Sequence, residues 1–234
     1  MLRDYGIMSP RYFFVHAYVN GKDIGVMAIE EHFSKELLEH QGRREGVIVR
    51  FNESFMWAHY QTHGSFGPYY NFRNTTVDVF QLSKVKKSKQ LNNSWRTAVG
   101  LLRGFMERKL PASQVFDTEL TGRFLAVNDF WGSWHALSWN NMRFYFNPIT
   151  LKLEPIGYDA DLQDRKYKRI STEVPVAMAI LEDSDVLEAY KRAIREISER
   201  LKDGSLEQRL GKLDRYHLNL LQKEFVFLES FDLD

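Results

Sequence analysis

The chain has 234 residues, a formal charge of +1 and no cysteine. That length buries a sizeable core in one or two domains, the charge balance gives no global field to recruit nucleic acid or an anionic membrane, and the absence of thiols excludes disulfides, thiolate nucleophiles and cysteine-held metal sites. No apolar run reaches the roughly 18 residues a membrane span needs, and residues 1–19 lack the apolar stretch of a signal peptide.

Residues 12–19 and 23–29 are short runs of apolar and aromatic side chains around Asn20 and Gly21. That dipeptide accepts the left-handed backbone of a tight turn, so the runs are predicted to pair as a hairpin. Phe33, Leu37 and Leu38 follow at helical spacing, and Gln41 and Gly42 close that helix after His40. Glu31 is placed at its opening. Residues 46–51 read as a third strand and carry Arg50. Residues 52–75 are aromatic and rich in Asn and Gly, and read as irregular; a helix over 52–63 would put His59 and His63 on one face, with no third metal ligand identifiable. The lysines of residues 84–89 read as a solvated face near a loop, the alternative being a patch for phosphate or an acidic partner.

A helix is predicted over residues 94–110, with Trp95, Val99, Leu102, Phe105 and Met106 inward and Pro111 beyond its end. Leu120, Phe124 and Val127 align a second over 117–130. Residues 142–157 form an expected hairpin about Pro148. Amphipathic helices follow over 183–201 and 206–221, separated by Gly204. The fold class is therefore α+β: a small strand-rich unit over residues 1–90, then a mainly helical unit over residues 91–234 with an internal hairpin.

Chemistry concentrates in residues 128–146 and 153–161. A polar loop enters one strand of the second hairpin, and the return strand ends at Asp159 and Asp161. Adjacent strand ends can bring Asn140 or Asn141 within reach of Asp159, and an amide oxygen with a carboxylate suits Mg²⁺ carrying nucleotide phosphates. Glu31 with Arg50 reads either as a salt bridge between two elements or as a clamp that holds phosphates. No glycine-rich phosphate loop is visible.

Three blocks carry a resemblance. Asn20-Gly21 with residues 25–31 is similar to one family stretch, and residues 46–50 to the strand that follows. The longest and most specific block runs from Trp131 through Asn141-Met142-Arg143-Phe144-Tyr145-Phe146-Asn147-Pro148 to Leu153-Glu154-Pro155-Ile156-Gly157-Tyr158-Asp159-Ala160-Asp161. On these the chain resembles the spore coat protein H (CotH) kinase family, a divergent branch of the protein-kinase-like fold. The resemblance implies that Glu31 pairs with a phosphate-binding cation in the position of Arg50, that Asn140 (or Asn141) and Asp159 bind metal, and that Asp161 assists. It implies ATP and Mg²⁺ as cofactors and a protein hydroxyl as acceptor. Five residues before Asn140, where such a catalytic loop carries aspartate, stands His135, and Arg50 stands where lysine is usual. His135 is thus the expected base; Asp129 is either a helix cap or a substitute base.

Three functions follow as expectations. The first is a Mg²⁺-dependent phosphotransferase moving the ATP γ-phosphate to a Ser/Thr hydroxyl of a protein. The second is a weakened or inactive kinase-like domain with a structural or binding role in a spore coat, envelope or surface assembly, with a coat or surface protein as partner. The third is a metal-dependent hydrolase built on Asp129, His135, Asp159 and Asp161. The expected location is the cytoplasm or a spore coat.

Overall fold

The structure is a computed structural model and describes residues 1–161 and 174–230. Its strands are β1 (Tyr12–Val19), β2 (Lys22–Glu30), β3 (Ile48–Phe51), β4 (Val77–Val79), β5 (Arg143–Asn147) and β6 (Lys152–Ile156). Its helices are α1 (Lys35–His40), α2 (Ser54–His63), α3 (Leu82–Lys87), α4 (Lys89–Met106), α5 (Ala112–Val115), α6 (Thr118–Phe130), α7 (Trp134–Leu137), α8 (Pro175–Leu181), α9 (Ser184–Lys202) and α10 (Ser205–Leu221). The chain is α+β, strand-rich toward its N-terminus and mainly helical toward its C-terminus, in keeping with a divergent kinase-like fold. Among the described residues no helix is long and apolar enough to cross a membrane.

Two compact units emerge: residues 1–9 with 33–194, and residues 10–32 with 195–234. The second unit contains the β1–β2 hairpin. Its turn residues Asn20 and Gly21 have φ of 52° and 78°, the left-handed pair that the Asn-Gly dipeptide predicts. The antiparallel register runs from Tyr12 opposite Glu30 to Val19 opposite Lys22, with an irregularity at Ala17 and Tyr18. Helix α10 packs on β1, where the Phe14 and His217 rings meet edge to face at 5.7 Å. Beyond α10, the Glu224 carboxylate accepts from the Val26 N–H at 2.8 Å. Gly25 makes room for it, since a Cβ there would stand 2.5 Å from Glu224 Oε1.

The first unit is built on a four-stranded antiparallel sheet in the order β4-β3-β5-β6. The expected hairpin of residues 142–157 is present, and it is not a separate insertion: β5 pairs with β3, Ile48 standing opposite Tyr145 and Arg50 opposite Arg143. Residues on either side of position 90 therefore share one sheet. Alternation along the strands sorts the side chains onto two faces. Phe51, Phe144 and Phe146 are buried on one, where Phe144 meets Phe116 and Phe51 at ring distances of 5.2 and 6.1 Å. Ile48, Tyr145 and Ile156 lie on the other and form a core with Met8, Phe33, Leu37 and Leu38. Arg50 and Arg143, in register with those residues, belong to that second face. Burial pushes the Tyr145 hydroxyl up to about 12, and it donates to the Arg44 carbonyl at 2.9 Å.

Three elements differ from expectation. Residues 54–63 are helical, stopped at Gly64 with φ of 68°, because a Gly in the left-handed conformation closes the last turn. Helix α4 starts at Lys89, five residues before Ser94, because the Ser88 hydroxyl caps it by accepting from Leu91 N–H at 3.3 Å. Helix α1 begins at Lys35, so Glu31 lies outside it. The Glu31 N–H instead donates to the Arg11 carbonyl at 2.9 Å and prolongs the hairpin ladder.

The entry to α9 offers a test of local stability. Asp183 accepts from Ser113 N–H at 2.8 Å and from Asp185 N–H at 3.0 Å, tying α5 to the start of α9. Desolvation opposes its charge, but these hydrogen bonds outweigh it and hold the carboxyl below its usual range. A depressed folded value adds stability above the unfolded carboxylate range, and that stability is lost as pH falls through it. Asp183→Ala is expected to cost about 1 kcal/mol at neutral pH by urea unfolding, with the difference from wild type shrinking in acid. An unchanged urea midpoint at pH 7 would contradict this role.

Candidate functional site

The site begins at the C-terminal end of α6. Asp117 caps that helix by accepting from Leu120 N–H at 2.9 Å. After α6 the chain turns at Gly132, with φ of 62°, into the one-turn helix α7 that carries His135. Residues 138–142 then lead into β5, while β6 leaves the sheet at Ile156 toward Tyr158, Asp159 and Asp161.

Four of the residues chosen from sequence meet in one hydrogen-bonded chain. The Asn140 amide donates to Asn141 Oδ1 at 3.4 Å, and the Asn141 amide donates to the His135 carbonyl at 3.1 Å. The His135 ring reaches Asp159, with Nε2 and Oδ2 3.0 Å apart. Asn141 is buried, and both ring and carboxylate stand nearly half exposed, at 47% and 46%. The buried amide fixes the loop, and the pair it positions faces solvent. Asp159 has φ of 53°, a left-handed conformation that aspartate adopts more readily than most side chains. That turn lets the two residues after Gly157 part, Tyr158 staying against the sheet and Asp159 reaching His135.

The other choices have different surroundings. Asp129 accepts from the Tyr190 hydroxyl at 2.7 Å and from Trp134 Nε1 at 3.4 Å, so it braces α9 and α7. Asp161 is exposed. Glu31 and Arg50, expected as a pair, each hold another partner. Glu31 lies in the hairpin unit and binds Arg11 at 2.7 Å, with the Arg11 N–H donating to its other oxygen at 3.1 Å. Arg50 lies in the sheet unit, 3.5 Å from Glu53 and with its guanidinium 5.3 Å from the centre of the Phe80 ring.

One residue of the site went unselected in the sequence. Arg143 is 5% exposed, and its Nη1 donates to the carbonyls of Asn140 at 2.7 Å and Met142 at 3.2 Å. It thereby holds the loop segment that carries Asn140. Its guanidinium lies against the rings of Tyr158, Phe33 and Phe80, at 5.0, 5.9 and 5.9 Å. Burial, and then the neighbouring charge of Arg50, lower it to about 10, against the pull of Glu53, Tyr158 and Asp159. The available signal was an arginine inside the otherwise apolar and aromatic run 142–146.

Among the described residues no three His, Asp or Glu side chains converge as a metal cluster. The hard donors at the site are the Asp159 carboxylate and the amide oxygens of Asn140 and Asn141. Asn140 Oδ1 accepts from the Ser138 hydroxyl at 2.6 Å, which leaves a carbonyl-type oxygen a second lone pair. Mg²⁺ keeps several waters and is ordinarily held by one or two carboxylates together with substrate phosphates. This donor set fits an ion that arrives with a nucleotide, not one held by protein ligands alone.

Comparison with protein families matches residues 1–218 to the family described as CotH kinase protein. Comparison with curated proteins finds no match.

Proposed function

The chain belongs to the CotH kinase family, and from that premise we propose that it is a Mg²⁺-dependent phosphotransferase that moves the γ-phosphate of ATP to a Ser/Thr hydroxyl of a protein. The observation that carries the reading is the His135–Asp159 contact at 3.0 Å, held at the end of an Asn140–Asn141 hydrogen-bond chain. A kinase-like site needs a carboxylate for metal, an amide beside it and a group that orients the acceptor hydroxyl. These residues supply all three types on one loop and one strand end.

Their roles follow from their surroundings. Bound Mg²⁺ would neutralise charge on the nucleotide phosphates, with Asp159 and an amide oxygen of Asn140 or Asn141 as its protein ligands and Asp161 assisting. With Nε2–H donating to Asp159, His135 Nδ1 carries the lone pair that accepts the proton of the acceptor hydroxyl. Asp159 fixes the ring that performs that step. Asp129 acts through Trp134 and Tyr190 and positions the loop. Arg50 supplies positive charge for the phosphates, and Glu31 steadies the hairpin through Arg11.

A second reading, a kinase-like domain that binds a coat, envelope or surface protein without transferring phosphate, is favoured by His135 standing where this fold carries aspartate. Calorimetric titration with ATP, with and without Mg²⁺, followed by a labelled γ-phosphate assay on a serine-rich acceptor protein, separates the two. The transferase reading expects Mg²⁺-dependent binding and label on the acceptor. Absence of Mg²⁺-dependent ATP binding, with and without acceptor, would reject it.

A further inference from the structure

The cation that this sheet presents is a pair. Arg50 on β3 and Arg143 on β5 stand directly opposite in the antiparallel register, so their side chains leave the same face side by side. Both guanidiniums lie against the Phe80 ring, at 5.3 and 5.9 Å. Like charges directly opposite on a sheet repel, and burying one of them raises the cost. Among the described residues no carboxylate lies within ion-pair distance of Arg143, and its buried Nε has no hydrogen-bond acceptor. The acidic groups nearby serve elsewhere: Glu53 binds Arg50, Asp78 accepts from Asn52 at 2.7 Å, and Asp159 meets His135. Three aromatic faces wall the guanidinium without neutralising it.

We propose that Arg143, with Arg50, forms a binding site for a phosphoryl group, which supplies the negative charge that the buried Arg143 lacks. Two guanidiniums leaving one sheet face from opposed positions offer charged N–H donors for the oxygens of a tetrahedral anion. The aromatic walls hold the Arg143 plane in place, and its bonds to the Asn140 and Met142 carbonyls join the site to the loop bearing Asn140 and His135. The phosphoryl group comes either from the polyphosphate chain of a nucleotide or from free phosphate or pyrophosphate. The first source rests on the transferase reading and deepens it; the second does not need it.

The test is anion binding by the full chain without divalent metal, which no phosphotransfer step enters. Inorganic phosphate, pyrophosphate and ATP are titrated separately, each with EDTA, by calorimetry and by thermal melting. At least one is expected to bind and to raise the melting temperature. ATP well ahead of pyrophosphate identifies a nucleotide site, and equal affinities identify a site for the phosphates alone. Arg143→Met is expected to fold, since an uncharged chain of similar length suits the aromatic pocket, and to weaken the anion about tenfold or more. Should that variant lose its cooperative melt, Arg143→Lys carries the test, retaining charge while losing the fork and so several-fold in affinity. Binding of none of the three anions, or affinity within twofold of wild type in a folded Arg143 variant, overturns the proposal. Anion binding that depends on Arg143 in a chain that transfers no phosphate sustains the site and rejects only the transferase reading.

Discussion

Asp159→Ala is expected to abolish Mg²⁺-dependent ATP binding, weakening it about a hundredfold or more. Loss of a residue that merely orients a metal ligand already costs 10- to 100-fold, and Asp159 is the carboxylate on which the metal ligation would rest. Its removal also releases the His135 ring, which Oδ2 holds at 3.0 Å. His135→Ala separates the two roles. It leaves the Asp159 carboxylate and both asparagine amides in place but removes the ring bonded to Asp159, so affinity for Mg²⁺-ATP should fall about tenfold, the lower end for loss of an orienting partner, while turnover falls about a hundredfold beyond that. Calorimetry on both variants and single-turnover transfer on the second check this. An Asp159→Ala protein that keeps wild-type Mg²⁺-dependent affinity would remove Asp159 from the metal site. Equal losses of affinity and turnover in His135→Ala would make the histidine a structural residue.

Gly122→Leu is expected to destabilise the sheet unit strongly, by about 3 kcal/mol or more. Helices α6 and α9 approach so closely at Gly122 that an added Cβ would stand 2.5 Å from Ala189 Cβ and 2.6 Å from the Tyr190 backbone nitrogen. One contact is main chain and the other a buried methyl, so neither can swing aside as the end of a flexible side chain would. Replacing glycine inside a helix ordinarily gains about 1 kcal/mol of propensity. Overpacking a filled interior costs typically 1–3 kcal/mol for small insertions, and leucine adds four heavy atoms. The clash therefore wins, against a total stability of about 5–15 kcal/mol for a domain. The damage also reaches the site, because separating the helices pulls the Tyr190 hydroxyl from Asp129, which accepts it at 2.7 Å and also receives Trp134 next to His135. Urea unfolding of Gly122→Ala and Gly122→Leu gives the check. A leucine variant within about 1 kcal/mol of wild type would show that the helices part without cost.

Much of the local architecture could be read from contiguous residues. Asn20 and Gly21 set the first turn through their tolerance of positive φ, and the alternating run after Asn141 with the turn at Pro148 marked the second hairpin. Asp117, Gly204 and the helical spacing of apolar residues bounded the later helices to within a few positions. These are properties of short segments, so a linear chain displays them. Helix α2 and the early start of α4 were harder to read. An aromatic stretch has weak helical periodicity, and the Ser88 cap sits inside a lysine-rich run that suggests only solvent.

The candidate site divides in the same way. His135, Asn140, Asn141 and Asp159 stand close in sequence to the two ends of one hairpin, so a linear reading could group them, while the contact of the His135 ring with Asp159 came from the fold. The partners of Glu31 and Arg50 did not follow from spacing. Charge complementarity alone suits many pairs, and the choice of Arg11 over Arg50 was made by the β1–β2 ladder that brings Arg11 beside Glu31. By itself the sequence determined the turns, most helices, the family blocks and the residue types of the loop. Tertiary structure decided that β3 joins β5 across more than 90 residues, and with that register it placed Arg143 beside Arg50. Register between distant strands is set by which faces can be buried together, a condition on the whole core that no local stretch of chain contains.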